Sequence, residues 1–387
     1  MAKSRKKHRK PPARGRRKQP EPATLTSSVV ISVPDDFPFD LVEEILCRVS
    51  VKQLIQLRCV CKSWNSLISQ NSNFANKHLR LSTSNQSRHH LFLKCCQFVN
   101  FQSPVSTFFT STDPTMSRYS LRQILKKGES DRDGGGYVST CDGILCYKID
   151  TCSAILFNPS IRKFILLPPL KHKINAFYTL VYDRFINNYK VIVLYHNEVY
   201  VLTLGTNYWT RIQDFPTHDQ LLASSTGIFV NDSVNWLTSH FIVSLHLKKE
   251  SYQNLSLPVS LPVSNVGFRS SCFDTLGTWK GCLSLLIPMR DTFSDFWIMK
   301  EFGKENSWTK LLSIPYMQEW GFFRYTKMLY ISEDDQVLLE IFMCRKFKYM
   351  LVVYDSINNT FNFPEFQNKI HPITMPEVYV ESLISPF

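Results

Sequence analysis

ILFNPSIRKFILLP, residues 155–168, reads as an apolar strand, a polar turn, an aromatic-bearing strand and a closing proline. The same grammar returns in VYVLTLGTNYWTRIQDFP (199–216), IVSLHLKKESYQNLSLP (242–258), FWIMKEFGKENSWTKLLSIP (296–315) and LVVYDSINNTFNFPEF (351–366). The aromatics that follow each turn, Phe164, Trp209, Tyr252, Trp308 and Phe361, are 45, 43, 56 and 53 residues apart. Another strand pair precedes most of these phrases, as in STCDGILCYK (139–148), GIFVNDSVNWLT (227–238) and GTWKGCLSLLI (277–287). A period of roughly 40–55 residues with several strands per unit is that of a β-propeller blade. A lone blade cannot bury both faces, so neighbours stacked around an axis must supply the core. Five phrases and the strand-rich HLFLKCCQFVNFQ (90–102) predict about six blades. VYVESLISP (378–386) is expected to return a strand to the first blade and close the ring, which removes exposed edges. A large twisted sandwich is the rival that period alone leaves open.

Upstream the pattern is helical. Asp40 stands three residues before Glu43, a capping-box arrangement, and Leu41, Val42, Ile45, Leu46 and Val49 recur at helical spacing. Ser50 and Gln53 repeat the start signal for a second, short helix carrying Leu54 and Ile55. In RCVCKSWNSLI (58–68), Val60, Cys61, Trp64, Leu67 and Ile68 form the stripe of a third amphipathic helix. Cys59 and Cys61 diverge by about 200° on a helix, so they cannot grip one metal. Cys61 is read instead as a small hydrophobe beside Trp64. Three helices in so short a stretch leave apolar surface in need of a partner.

Residues 34–79 resemble an F-box. The resemblance is carried by the opening proline and the first helix, the step from Val51 to Leu54, Cys59-Val-Cys-Lys-x-Trp64, Phe74 and Lys77-His-Leu79, with Ser50 where the family usually has proline. It implies docking on a Skp-type adaptor, and through it on the cullin and RING subunits of a ubiquitin ligase. The adaptor-facing residues it implies are Pro34, Leu41, Ile45, Leu46, Leu54, Val60, Cys61 and Trp64. From about residue 137 onward the chain resembles the F-box-associated interaction domain of plant F-box proteins. The matching segments are Leu156-Phe-Asn-Pro-Ser-x-Arg-Lys163, Tyr182-Asp183, Tyr189-Lys-Val191, Val234-Asn-Trp-Leu237, 296–301 and Ser307-Trp-Thr-Lys310. This second resemblance implies recruitment of an unidentified protein substrate, and loops 214–226 and 259–272 are candidates to display specificity. The expected organisation is a disordered basic tail (1–33), a small all-α F-box (34–80) and an all-β propeller-like domain (90–387).

The net charge of +13 resides mostly in the tail: residues 1–20 hold ten Lys/Arg and no acid, and the remainder carries 35 basic against 32 acidic groups. Lys6, Lys7, Arg9 and Lys10, then Arg16, Arg17 and Lys18, form two basic clusters that suit nuclear import. Nucleic acid is expected only as a non-specific phosphate partner of this tail, in a nuclear nucleic-acid-associated alternative. The folded remainder is too neutral for a sequence-reading domain. No run approaches the ~18 apolar residues of a membrane span. Eleven cysteines without a secretory signal favour free thiols in the nucleus or cytoplasm.

Catalytic and metal signals are weak. His89-His90 and Cys95-Cys96 are ligand types, but consecutive strand residues face opposite ways. Cys141, Cys146 and Cys152 lack paired zinc spacing, and Gly134-Gly-Gly136 precedes a strand rather than a helix. A propeller enzyme would place carboxylates such as Asp183, Asp274 or Asp355 around a tunnel, although strand-end aspartates more often form turns. No cofactor or metal is expected, and the function expected is that of a non-catalytic receptor subunit.

Overall fold

The computed structural model describes residues 38–96, 99–111, 113–120, 138–149, 153–170, 176–216, 226–258, 275–289, 292–317, 323–343, 348–365 and 374–386. Four helices come first: α1 (Phe39–Leu46), α2 (Val51–Leu57), α3 (Lys62–Gln70) and α4 (Ser72–Ser84). Ser50 caps α2 as its spacing predicts. The Gln53 N–H donates to its hydroxyl at 3.5 Å, and that hydroxyl donates to the Gln53 side-chain carbonyl at 2.9 Å. Asp40 is not the cap of α1. It lies within the first turn, and Leu41 and Val42 donate instead to the Pro38 carbonyl at 2.9 and 3.3 Å. Asn71 caps α4 by accepting the Phe74 N–H at 2.9 Å.

α4 is an element the periodicity did not announce. Its buried face is Phe74, Ala75, His78 and Ser82, so two of four inward positions are polar. Helix spacing is kept, but the apolar stripe that would reveal it is broken. Leu46, Cys47, Val51, Leu54, Leu67 and Ile68 are also buried.

The rest is a ring of six four-stranded antiparallel sheets. The first joins β1 (His89–Cys96), β2 (Val99–Pro104) and β3 (Ser117–Ser120), with the short helix α5 (Thr107–Thr110) between the last two. The second holds β4 (Val138–Cys141), β5 (Ile144–Lys148), β6 (Ala154–Asn158) and β7 (Lys163–Leu166). The third is β8 (Phe177–Asp183), β9 (Asn188–Tyr195), β10 (Glu198–Thr203) and β11 (Thr210–Arg211). The fourth is β12 (Ile228–Val230), β13 (Ser233–Leu237), β14 (Phe241–His246) and β15 (Ser251–Ser256). The fifth is β16 (Thr275–Trp279), β17 (Cys282–Met289), β18 (Phe293–Met299) and β19 (Trp308–Pro315). The sixth is β20 (Phe323–Ile331), β21 (Gln336–Met343), β22 (Lys348–Asp355) and β23 (Thr360–Asn362). β24 (Thr374–Val380) then pairs with β1, His89 opposite Val380, and supplies the missing strand of the first sheet. The strands β24, β4, β8, β12, β16 and β20 neighbour one another in that order, and β20 meets β24. That is a closed six-bladed propeller; the sandwich alternative is excluded.

Six apolar cores lie between adjacent blades. Strand alternation explains how one blade serves two of them. Ile144 and Cys146 face the third blade with Leu180 and Val193, whereas Leu145 faces the first with Phe92. The middle strands of the blades, such as β6 and β13, are therefore buried on both faces and read as nearly continuous apolar runs, while outer strands such as β11 and β15 stay largely exposed. The aromatics that set the repeat stitch consecutive blades together. Trp209 Nε1–H donates to the Pro168 carbonyl, Tyr252 O–H to Gln213 and Trp308 Nε1–H to Ser256, each at 2.9 Å. Asp142-Gly143, Asn231-Asp232 and Lys280-Gly281 turn the inner hairpins with both residues at positive φ, the geometry that suits strand twist.

Candidate functional site

The expected docking face is built around α1 and the turn before α3. Leu41 is 50% exposed in α1. Farther along, Ile45 is 57% and Val60 58% exposed, while Trp64 is half-buried. Large apolar side chains left in water at these positions are what a partner surface would cover. Arg58 Nε–H donates to the Asn65 side-chain carbonyl at 3.1 Å, bracing the turn that presents Val60. Lys77 on α4 pairs with Glu44 and, at 3.5 Å, with Glu43, tying the first and last of these helices; the hydrogen bond from Lys77 holds the Glu44 carboxyl below its ordinary value.

Two residues expected on this face lie beneath it. Leu46 and Leu54 are 2% and 0% exposed, so they support the exposed residues rather than join them. The register of Cys61 also differs from the helical reading. α3 begins at Lys62, and Cys61 occupies its N-cap with extended backbone. Its thiol is exposed and lies 3.2 Å from the Ser63 hydroxyl; that hydrogen bond and the Trp64 N–H pull the thiol below its ordinary value. Val60 precedes the helix as well, which is why it projects into water. Pro34 and the basic residues Lys6, Lys7, Arg9, Lys10, Arg16, Arg17 and Lys18 lie outside the described residues.

Several residues of the alternative sites have structural partners among the described residues. His89 holds the Tyr330 hydroxyl at 2.8 Å and the Thr83 carbonyl at 3.1 Å, and His90 stacks on Tyr379. Burial pushes the Cys146 thiol up, making it inert. Asp183 accepts the Phe185 N–H at 2.9 Å and pairs with Lys190 at 2.8 Å. Asp355 accepts the N–H groups of Ile357 and Asn358, both at 3.0 Å. Both aspartates form turns. Cys152, Gly134–Gly136, Asp274 and loop 259–272 lie outside the described residues, as does most of loop 214–226. Among the described residues no helix is long and apolar enough to cross a membrane.

Comparison with known proteins gives the same two parts. Residues 34–76 match the F-box domain, and residues 92–378 match the F-box associated beta propeller domain. The chain is a plant-type F-box protein with a C-terminal F-box-associated domain. An F-box/kelch-repeat protein of Arabidopsis thaliana is 30% identical over 91% of this chain and 96% of its own length. The F-box protein CPR1 of the same plant is 24% identical over 79% of each chain. For an F-box protein of this type, the pairing of F-box and propeller supports a substrate-receptor role in general, and no enzymatic family is indicated.

Proposed function

We propose that this F-box protein is the substrate-recognition subunit of an SCF-type cullin–RING ubiquitin ligase. The F-box docks on a Skp-type adaptor that connects it to the cullin and RING subunits, and the propeller holds a target protein for ubiquitination. The observation that carries the reading is an F-box whose apolar Ile45 and Val60 stand in water, joined in one chain to a closed propeller. Such a receptor needs no catalytic group of its own. It acts by raising the local concentration of substrate lysines beside a charged conjugating enzyme. The two basic clusters of the tail are proposed as a nuclear import signal, with the protein acting in the nucleus and cytoplasm.

Co-purification from plant cells tests the reading. The full chain is expected to bring down the adaptor and cullin, and the form lacking residues 34–80 is expected to lose both while still trapping the target. Equal recovery of adaptor by both forms would sink it.

A further inference from the structure

Glu340 places an ionisable carboxyl in the middle of β21, yet the residue is only 8% exposed. Strand alternation puts it on the face turned to the first blade, with Leu338, and Leu351 stands opposite it on β22. Its cross-strand partner on the other side is Lys327 of β20. Between Tyr325, opposite Ile341, and Lys327, opposite Glu340, β20 carries Thr326 as an extra residue, a β-bulge. The bulge brings the Thr326 hydroxyl to the Glu340 carboxyl, to which it donates at 2.8 Å. The Lys327 ammonium turns elsewhere. It crosses the seam between the sixth and first blades and pairs with Glu377 of β24, the strand that closes the ring.

Three neighbouring strands thus bring together two carboxylates and one ammonium. One cation neutralises one carboxylate, and a second anion here would meet both desolvation and repulsion from Glu377. Glu340 is the more buried of the two and has no cation of its own, so it is the one that keeps a proton; burial pushes its carboxyl up to about 7. Among the described residues, Lys327 and Glu377 are the charged groups that act on it. Loss of that proton sets a new anion directly across the strand from Lys327. It competes for the ammonium and repels Glu377, and both effects work against the tie to β24. The segment after β24 is held by other contacts. The Glu381 N–H donates to the Arg88 carbonyl at 2.9 Å, their side chains pair at 3.5 Å, and Asn158 Nδ2–H donates to the Ser382 carbonyl at 3.1 Å.

We propose that Glu340, Lys327 and Glu377 form a proton-operated latch on the strand that closes the ring. With Glu340 protonated, Lys327 holds Glu377 and clamps β24 to the sixth blade. With Glu340 ionised, the ammonium is shared between two carboxylates and β24 loosens. The latch belongs to the propeller itself and does not rest on the receptor reading.

Hydrogen exchange of the full chain at pH 6 and pH 8, each rate divided by the intrinsic rate at that pH, tests it. The readout is the protection of β24 amides relative to those of β13, a ratio in which any change in global stability cancels. In wild type the ratio is expected to fall at least threefold from pH 6 to pH 8. In Glu340→Gln, which keeps a neutral acceptor for Thr326, it is expected to stay constant. Glu377→Gln lacks the tie, so its ratio is expected to be low already at pH 6 and flat from there. A constant ratio in wild type, or an equal fall in Glu340→Gln, would overturn the proposal. So would a Glu377→Gln ratio equal to that of wild type at pH 6. Should Glu340→Gln fail to fold, wild type and Glu377→Gln decide by the same ratio.

Discussion

Burial pushes the Glu340 carboxyl up to about 7, with the Thr326 hydroxyl donating to it at 2.8 Å and the paired Lys327 and Glu377 nearby. In the folded chain this group keeps its proton to about pH 7, whereas the unfolded chain loses it near 4.5. The folded state therefore holds more protons across that window, and this contribution to stability is lost as pH rises through it. Thermal melts should show Glu340→Gln gaining on wild type steadily from pH 5 to pH 8; a constant gap would contradict the assignment. The Cys61 thiol, exposed and pulled down, should be alkylated well before the buried Cys47 and Cys146, whose thiols burial pushes up. Peptide mapping after brief iodoacetamide treatment at neutral pH reads that order. Cys61 also shows where reading by residue spacing stops. Val60 and Cys61 sit at helical intervals from Trp64, but the helix starts only at Lys62, so the stripe overstated it by two residues. Arg88 and Glu381 left no trace in the pattern, because charged residues read as solvent-facing until a fold pairs them.

At the scale of elements, turns hold the register of the blades. Gly143 has φ +79°, and a Cβ there would press on the Val380 carbonyl and lie 2.7 Å from Ser382 Oγ. Gly143→Ala combines a left-handed backbone penalty with a clash against the closing segment, and should cost about 2–4 kcal/mol by urea titration. The same two-residue hairpin at Lys280-Gly281 has open space around the glycine, so Gly281→Ala should cost about 1–2 kcal/mol from backbone alone. Equal losses at both would remove the role given to the closing segment. Strands were legible because the middle strands of the blades, such as β6 and β13, are buried on both faces. α4 was not, because His78 and Ser82 sit on its inward side and engage each other rather than a greasy core.

Across the whole molecule, the repeat that organised the sequence proves to be the repeat that holds the ring. Trp209, Tyr252 and Trp308 mark the period, and each binds a carbonyl of the preceding blade. Trp308→Phe keeps the ring but removes the N–H that serves Ser256, and should destabilise the chain by about 1–2 kcal/mol without altering its strand content by circular dichroism. Six blades followed from the period, and a closing strand from the need to remove unpaired edges, but that strand runs Thr374–Val380 and shares only residues 378–380 with the expected return at 378–386. The exposure of the apolar helix residues was legible only by half. Ile45 and Val60 do stand in water, but exposure depends on which side of each short helix the rest of the F-box covers, and spacing alone could not sort Leu46 and Leu54 beneath them.

The receptor reading is tested most directly by the affinity of the purified full chain for a purified Skp-type adaptor, compared with Ile45→Asp. Ile45 is 57% exposed, so the variant should melt within about 2 °C of wild type, as surface changes usually do. The account predicts adaptor binding by wild type and at least a tenfold weaker complex for the variant; equal affinity, or no binding by wild type, would contradict it.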